Sequence, residues 1–274
     1  GLGDVYKRQI SLSKDGLEYT TLNLVHGEIT PMRYGGNYKS YGPQYPRGIQ
    51  EGNGVPADGD LWVSYSVNKE DMWISRIPVP VEINASAHAD DDFSKNKSIA
   101  ELTDWNIYSP VWAPVSLEDQ WLKLQDKDPF DYAKVERKIP ASKELKVSFD
   151  LKAGQNNKGT LHIEFLDENG IACSRIELTD DGIFRLKGGS RFANMMKYEA
   201  GKIYHVEAVL STVDRNIQVY VDGKRVGLRM FYAPVAAVER IVFRTGVPRT
   251  FPTVDTPADQ TYDPVSYTHL RAHE

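Results

Sequence analysis

The sequence predicts an all-β fold, an antiparallel sandwich or barrel, on three observations. Apolar residues recur at every second position in short runs, clusters of Gly, Asp and Asn separate those runs, and helical periodicity is almost absent.

Taken in chain order, Ser13-Lys14-Asp15-Gly16 reads as a polar hairpin turn. Residues 61–67 and 72–77 alternate as strands joined by Asn68-Lys69-Glu70-Asp71, and Pro78 and Pro80 then remove ladder donors and end that strand system. Residues 82–104 are polar and acidic with no sustained period, which predicts a linker and places the domain boundary there. From Trp121 the alternation is regular over 145–151, 160–166, 171–178, 183–186, 203–210, 217–221 and 238–243. Between these runs Asp167-Glu168-Asn169-Gly170, Asp180-Asp181-Gly182 and Asp222-Gly223 supply the positive φ of tight hairpins. Strands this short and this regularly spaced close on themselves as a sandwich or barrel, with Phe149, Ile163, Val206, Val219 and Ile241 at core positions.

Composition excludes several classes of partner. The 274 residues carry a formal net charge of −5 with no clustered basic run, which argues against nucleic acid. No apolar run approaches the roughly 20 residues of a membrane helix. The single cysteine, Cys173, excludes an internal disulfide and a cysteine-based zinc site, and its place in an alternating run predicts a buried structural thiol. His162 and His205 read as satisfied structural histidines, and Trp121, Tyr204 and Tyr220 as core residues rather than sugar-stacking platforms.

The two ends stand apart. Back-translated, residues 1–9 match a reading frame of a transposase-type sequencing adapter and residues 265–274 match its reverse complement, so both are expected to be scars that pack against nothing. The remaining chain, 10–264, is then expected to be one part of a longer protein.

Two stretches resemble known families. Ala200-Gly201-Lys202-Ile203-Tyr204-His205-Val206-Glu207, followed by Asn216-Ile217-Gln218-Val219-Tyr220-Val221-Asp222-Gly223, resembles the paired strands of concanavalin/laminin-G-like β-sandwiches. The resemblance implies that the two runs are neighbours in one sheet and that Asp222-Gly223 makes the hairpin turn, giving a sandwich, or jelly roll, over 105–264. Residues 121–132 resemble the opening strand and turn of sandwiches appended to bacterial carbohydrate-active enzymes. Within them Asp126, Asp128 and Asp131 form either a solvated acidic turn or an oxygen-rich calcium site; no other cofactor is expected.

Further upstream, Ser13-Lys14-Asp15-Gly16-Leu17-Glu18-Tyr19 resembles a degenerate Asp-box, and residues 41–76 resemble the last blades of sialidase-like β-propellers in polysaccharide-utilising proteins. That implies a partial propeller over 10–81. In such a mouth His26, Arg33, Tyr45, Arg47, Asn53 and Lys69 would hold an acidic sugar, because arginine forks a carboxylate, lysine supplies a point charge and tyrosine a stacking face. A hydrolase needs two carboxyl groups. Glu51 with Glu70 or Asp71 is the available pair, since Glu70 and Asp71 are adjacent and point apart on a strand. The implied function is that of part of a secreted, periplasmic or cell-surface glycan-active enzyme, a sialidase-like glycosidase on an acidic polysaccharide. A polysaccharide lyase on the same architecture and a non-catalytic carbohydrate-binding or adhesion protein are the alternatives. The partner in each case is an oligo- or polysaccharide.

Overall fold

A computed structural model describes residues 8–13, 15–26, 43–49, 59–77, 79, 89–102, 104–127, 132–168, 170–246 and 266–273. The chain divides into two units, one of residues 1–84 and 248–260, the other of residues 85–247 and 261–274.

In the first unit, β1 (Arg8–Ser13) and β2 (Tyr19–His26) form a hairpin. Its turn is built on Asp15, whose Oδ1 accepts from the Leu17 and Glu18 amides at 2.9 and 3.0 Å and from Ser13 Oγ. Those bonds, the Glu18 amide first, hold the Asp15 carboxyl below its usual range. β3 (Pro43–Ile49), β4 (Leu61–Val67) and β5 (Asp71–Ile77) form a three-stranded antiparallel sheet in that order. The β4–β5 turn holds Asn68 and Lys69 at φ +58° and +57°. Tyr65 and Val67 are buried, whereas Met72 and Ile74, in register with Ser66 and Ser64, are exposed.

The second unit is a sandwich of two seven-stranded sheets. Its strands are β6 (Trp105–Tyr108), β7 (Val115–Glu118), β8 (Trp121–Asp126), β9 (Lys134–Ser142), β10 (Glu144–Ala153), β11 (Leu161–Leu166) and β12 (Ala172–Leu178). They continue as β13 (Ile183–Gly188), β14 (Arg191–Lys197), β15 (Ile203–Ser211), β16 (Asn216–Val221), β17 (Lys224–Met230), β18 (Val238–Thr245) and β19 (Ser266–His273). One sheet runs β17-β16-β15-β10-β19-β8-β7 and the other β14-β13-β12-β11-β18-β9-β6. All five expected core positions are buried between the sheets, and Phe149 meets Phe243 edge-on at 5.0 Å. β15 and β16 are neighbours, and Asp222-Gly223 turns β16 into β17, as the resemblance implies. At one margin the sheets come close. A Cβ on Gly188 would lie 2.4 Å from Arg229 Cβ, and one on Gly227 2.6 Å from Met195 Sδ, so glycine is what the approach permits.

Three expectations are corrected. Within the segment read as a linker, Phe93 and Leu102 join the core, and Asp91 accepts from Trp105 Nε1 and Arg137 Nε at 3.1 and 2.9 Å. Two apolar anchors and one bridging carboxylate fix it without any period. Residues 8–9, placed in a scar, open β1, and the scar read at 265–274 supplies β19, a central strand paired with β10 on one side and β8 on the other. In register, Leu270 stands opposite both Leu122 and Leu151. Finally, β6, β7, β9, β14 and β17 are strands that the alternation did not single out.

Candidate functional site

β11, β12 and β13 depart from the ordinary amphipathic strand. Their inner positions, among them Ile163, Phe165, Ile176 and Phe184, fill the core. Their outer positions are charged and yet largely buried, His162 at 1% exposure, Glu177 at 3% and Glu164 at 8%. Residues opposite one another on antiparallel strands share a face. One row across the sheet therefore runs Lys134, Arg244, His162, Glu177, Arg185, Asn194, and the next Glu136, Val242, Glu164, Arg175, Lys187, Phe192.

The carboxylates in these rows are all engaged. Arg175 donates to Glu164 Oε1 through Nε at 2.6 Å and Nη2 at 2.5 Å, and Arg185 Nη2 donates to Glu177 Oε1 at 2.5 Å. Arg240 Nη1 donates to Glu136 Oε1 at 3.0 Å, with Lys134 Nζ 3.2 Å from the other oxygen. Burial pushes the Glu136 carboxyl up, but Lys134 and Arg240 together outweigh it and hold the group below the usual carboxylate range. His162 is different. Neither ring nitrogen makes a hydrogen bond of ordinary geometry, although the Gly246 backbone lies near enough to favour the protonated ring slightly. Burial, reinforced by Arg175 and Arg185, holds its pKa well below 6.5.

Aromatic rings flank the rows. Phe192, 40% exposed, has the Arg185 guanidinium 4.3 Å and the Lys187 ammonium 5.7 Å from its ring centre. Tyr232 comes from the β17–β18 connection, where its amide donates to the Cys173 carbonyl at 3.0 Å. Its ring centre lies 4.5 Å from Lys187 Nζ and 6.0 Å from Arg175 Cζ. Toward the β9 side, Arg244 Cζ is 4.8 Å from the Tyr132 ring, which packs on Tyr108 at 5.2 Å. The arrangement offers fixed hydrogen-bonding groups beside stacking faces, with cations in excess of carboxylates. Glu164 and Glu177 are each bound by an arginine, the opposite of the isolated apolar setting that makes a carboxyl a general acid.

Of the residues singled out from the sequence, Arg33, Glu51, Asn53, Asp128 and Asp131 lie outside the described residues. His26 ends β2 and Asp71 begins β5, opposite Val67. Tyr45, 65% exposed at φ +53°, and Lys69 come together, with Lys69 Nζ 5.9 Å from the Tyr45 ring centre. Arg47 is exposed on β3, its carbonyl 3.4 Å from Ser64 Oγ, and Glu70 sits half-buried in the β4–β5 turn. Asp126 is a correction, because it is no solvated turn residue: it is buried at the end of β8 and accepts from Thr245 Oγ1 at 2.8 Å. Among the described residues no three His, Cys, Asp or Glu side chains gather as a metal site. Cys173 is buried as expected, its thiol pushed up to about 12 by burial. Tyr204 is core, whereas Trp121 and Tyr220 are only half-buried. His205 faces outward, Nδ1 2.9 Å from Asp150, while His162 corrects the expectation of a satisfied ring. Sequence reasoning missed Arg175, Arg185, Lys187, Phe192 and Tyr232. The available signal was a charged pair at i and i+2 on three successive strands: His162/Glu164, Arg175/Glu177 and Arg185/Lys187.

Residues 105–260 match the family model described as Sialidase-like, CBM domain. A solved structure named a sialidase is 85% identical, with a TM-score of 0.86, over 97% of this chain and 25% of its own, so the chain spans a quarter of that protein's length. An apo Crh5 transglycosylase, 12% identical with a TM-score of 0.50 over 69% of this chain and 85% of its own, shares the sandwich fold. No curated protein matches.

Proposed function

We propose that this chain, which belongs to the Sialidase-like, CBM domain family, binds glycan on the outer face of the β14-β13-β12-β11-β18-β9-β6 sheet and is the recognition part of a secreted enzyme. The observation that carries the reading is the meeting of ion-paired arginines and partly exposed aromatic rings on one sheet face, Arg175 and Arg185 beside Phe192 and Tyr232. Sugars demand both properties, an apolar ring face to stack on and hydrogen-bonding groups already oriented for hydroxyls. The arginines meet the second demand because Glu164 and Glu177 fix their planes before any ligand arrives.

The enzyme is proposed to be a sialidase-like glycoside hydrolase acting on an acidic polysaccharide, its catalytic groups lying mainly in a propeller of which the first unit is a part. Tyr45 and Lys69, already in contact, are the proposed contribution of that unit to substrate binding. Two measurements test the reading. The 274-residue chain should bind members of an immobilised glycan panel, and Arg175→Ala and Phe192→Ala should each weaken that binding about tenfold. It should release no reducing sugar by itself, because the sandwich carboxylates are engaged. A chain that binds no glycan, or whose binding ignores both substitutions, would overturn the assignment of this face.

A further inference from the structure

Lys187 is a cation on this face that makes no ion pair among the described residues. Opposite it in register stand Arg175 on β12 and Phe192 on β14, and Arg175 is already held by Glu164. Arg185, two residues away on the same face of β13, is held by Glu177. Among the described residues no carboxylate lies within ion-pairing distance of the Lys187 ammonium; its near neighbours are the rings of Tyr232 at 4.5 Å and Phe192 at 5.7 Å. The side chain is half-buried, so its charge is partly stripped of water and only partly offset by Glu164 and Glu177, a state that an incoming anion relieves. The Arg175 guanidinium, 6.0 Å from the same tyrosine ring, adds to the positive field there. Phe192 leaves an apolar surface open to solvent at the same spot.

We propose that Lys187, walled by Tyr232 and Phe192, is the subsite at which the sandwich reads an anionic group on a glycan, a carboxylate or a sulfate ester. This rests on the reading of the sheet face as a glycan site. The ammonium donates to the anion's oxygens, a charge-assisted contact, while the ring bearing the anion lies against Phe192. Arg175 and Arg185, each ion-paired with a glutamate, orient hydroxyls.

The test uses the full chain, titrated calorimetrically with three matched pairs: 3′-sialyllactose and lactose, trigalacturonate and its methyl ester, and 6-sulfated and unsulfated N-acetyllactosamine. For at least one pair the charged member should bind about tenfold more tightly than its neutral partner. Lys187→Gln and Lys187→Met, the latter keeping the apolar stem, should erase that preference and leave neutral binding within about twofold, and Lys187→Arg should restore most of it. Which pair shows the preference separates carboxylate from sulfate. A variant that fails to fold is replaced by the ammonium signal of labelled Lys187 in the native chain, which should move with the charged sugar and not with the neutral one. Binding that is equal within every pair would overturn the anion subsite and leave the glycan face standing. A preference that survives Lys187→Met, or an unmoved ammonium signal under saturating charged sugar, would place the anion elsewhere. Absence of binding by all six sugars would overturn both readings.

Discussion

His162 enters the fold as a neutral ring, so acidification protonates the unfolded chain before it protonates the folded one. The groups facing it are Arg244 from β18 and Glu177 from β12, with Arg185 and Arg175 beyond on β13 and β12. Burial and the two arginines outweigh the Gly246 backbone, and the folded pKa lies well below 6.5. A base depressed in this way contributes stability that is intact above the unfolded value and is lost as the pH falls toward the folded one. Inside that window the loss approaches a ceiling of about 1.4 kcal/mol per pH unit. Urea midpoints for the wild type and His162→Leu at pH 8, 6.5 and 5 measure it. The two proteins should run parallel above pH 6.5 and diverge below it, with the wild type losing more. Carboxylates such as Glu136 titrate in both proteins and cancel in the difference. At pH 8 the substitution also removes two ring nitrogens without hydrogen bonds and should be neutral or stabilising. Curves that stay parallel through the whole range would show that His162 does not enter the fold uncharged, and the account of this face would need rebuilding.

Two further predictions concern the frame. Phe149→Ala should lower stability by about 3–5 kcal/mol in urea unfolding, because it empties a fully buried site against Phe243; a loss under about 1 kcal/mol would reject the register of β10. Deleting residues 265–274 should cost several kcal/mol and promote association, since β8 and β10 each lose the strand between them and expose a ladder edge. An unchanged midpoint would restore the expectation that this segment packs against nothing.

The sheets were legible where inner positions are large and uninterrupted. β10, β11, β15, β16 and β18 carry Phe149, Ile163, Val206, Val219 and Phe243 in strict alternation, and the sequence pattern finds each of them. β9 was hidden because its inward row is broken by Arg137, an arginine that reaches out to Asp91 instead of joining the oil. β14 and β17 were hidden for another reason. They are edge strands with one face largely in solvent, and Gly227 stands where the sheets come too close for a side chain, so little apolar signal remains. The hairpins were legible because Gly182 and Gly223 sit at φ +77° and +76°, which few other residues adopt. The site was not. Its rows draw one or two residues from each of many strands between Lys134 and Arg244, so the basic patch exists in register space and in no run of sequence.

Stability alone does not account for those rows. Burying ion pairs such as Arg175–Glu164 and Arg240–Glu136 costs desolvation that their attraction only partly returns, and well-packed apolar side chains of similar size would serve a purely structural face as well or better. A face meant only to meet water would instead leave its charges exposed, as Lys146 is left beside Glu207 on the other sheet. The rows do neither. They hold polar groups rigid, half-dehydrated and flanked by rings, with Lys187 set between Phe192 and Tyr232, and that is the state in which hydrogen bonds to an incoming sugar gain most and lose least in ordering. The inner face of each strand makes the sandwich stand. If the outer face of β11 to β13 serves recognition, as proposed, substitutions at Arg175 or Lys187 should move affinity far more than they move the melting temperature.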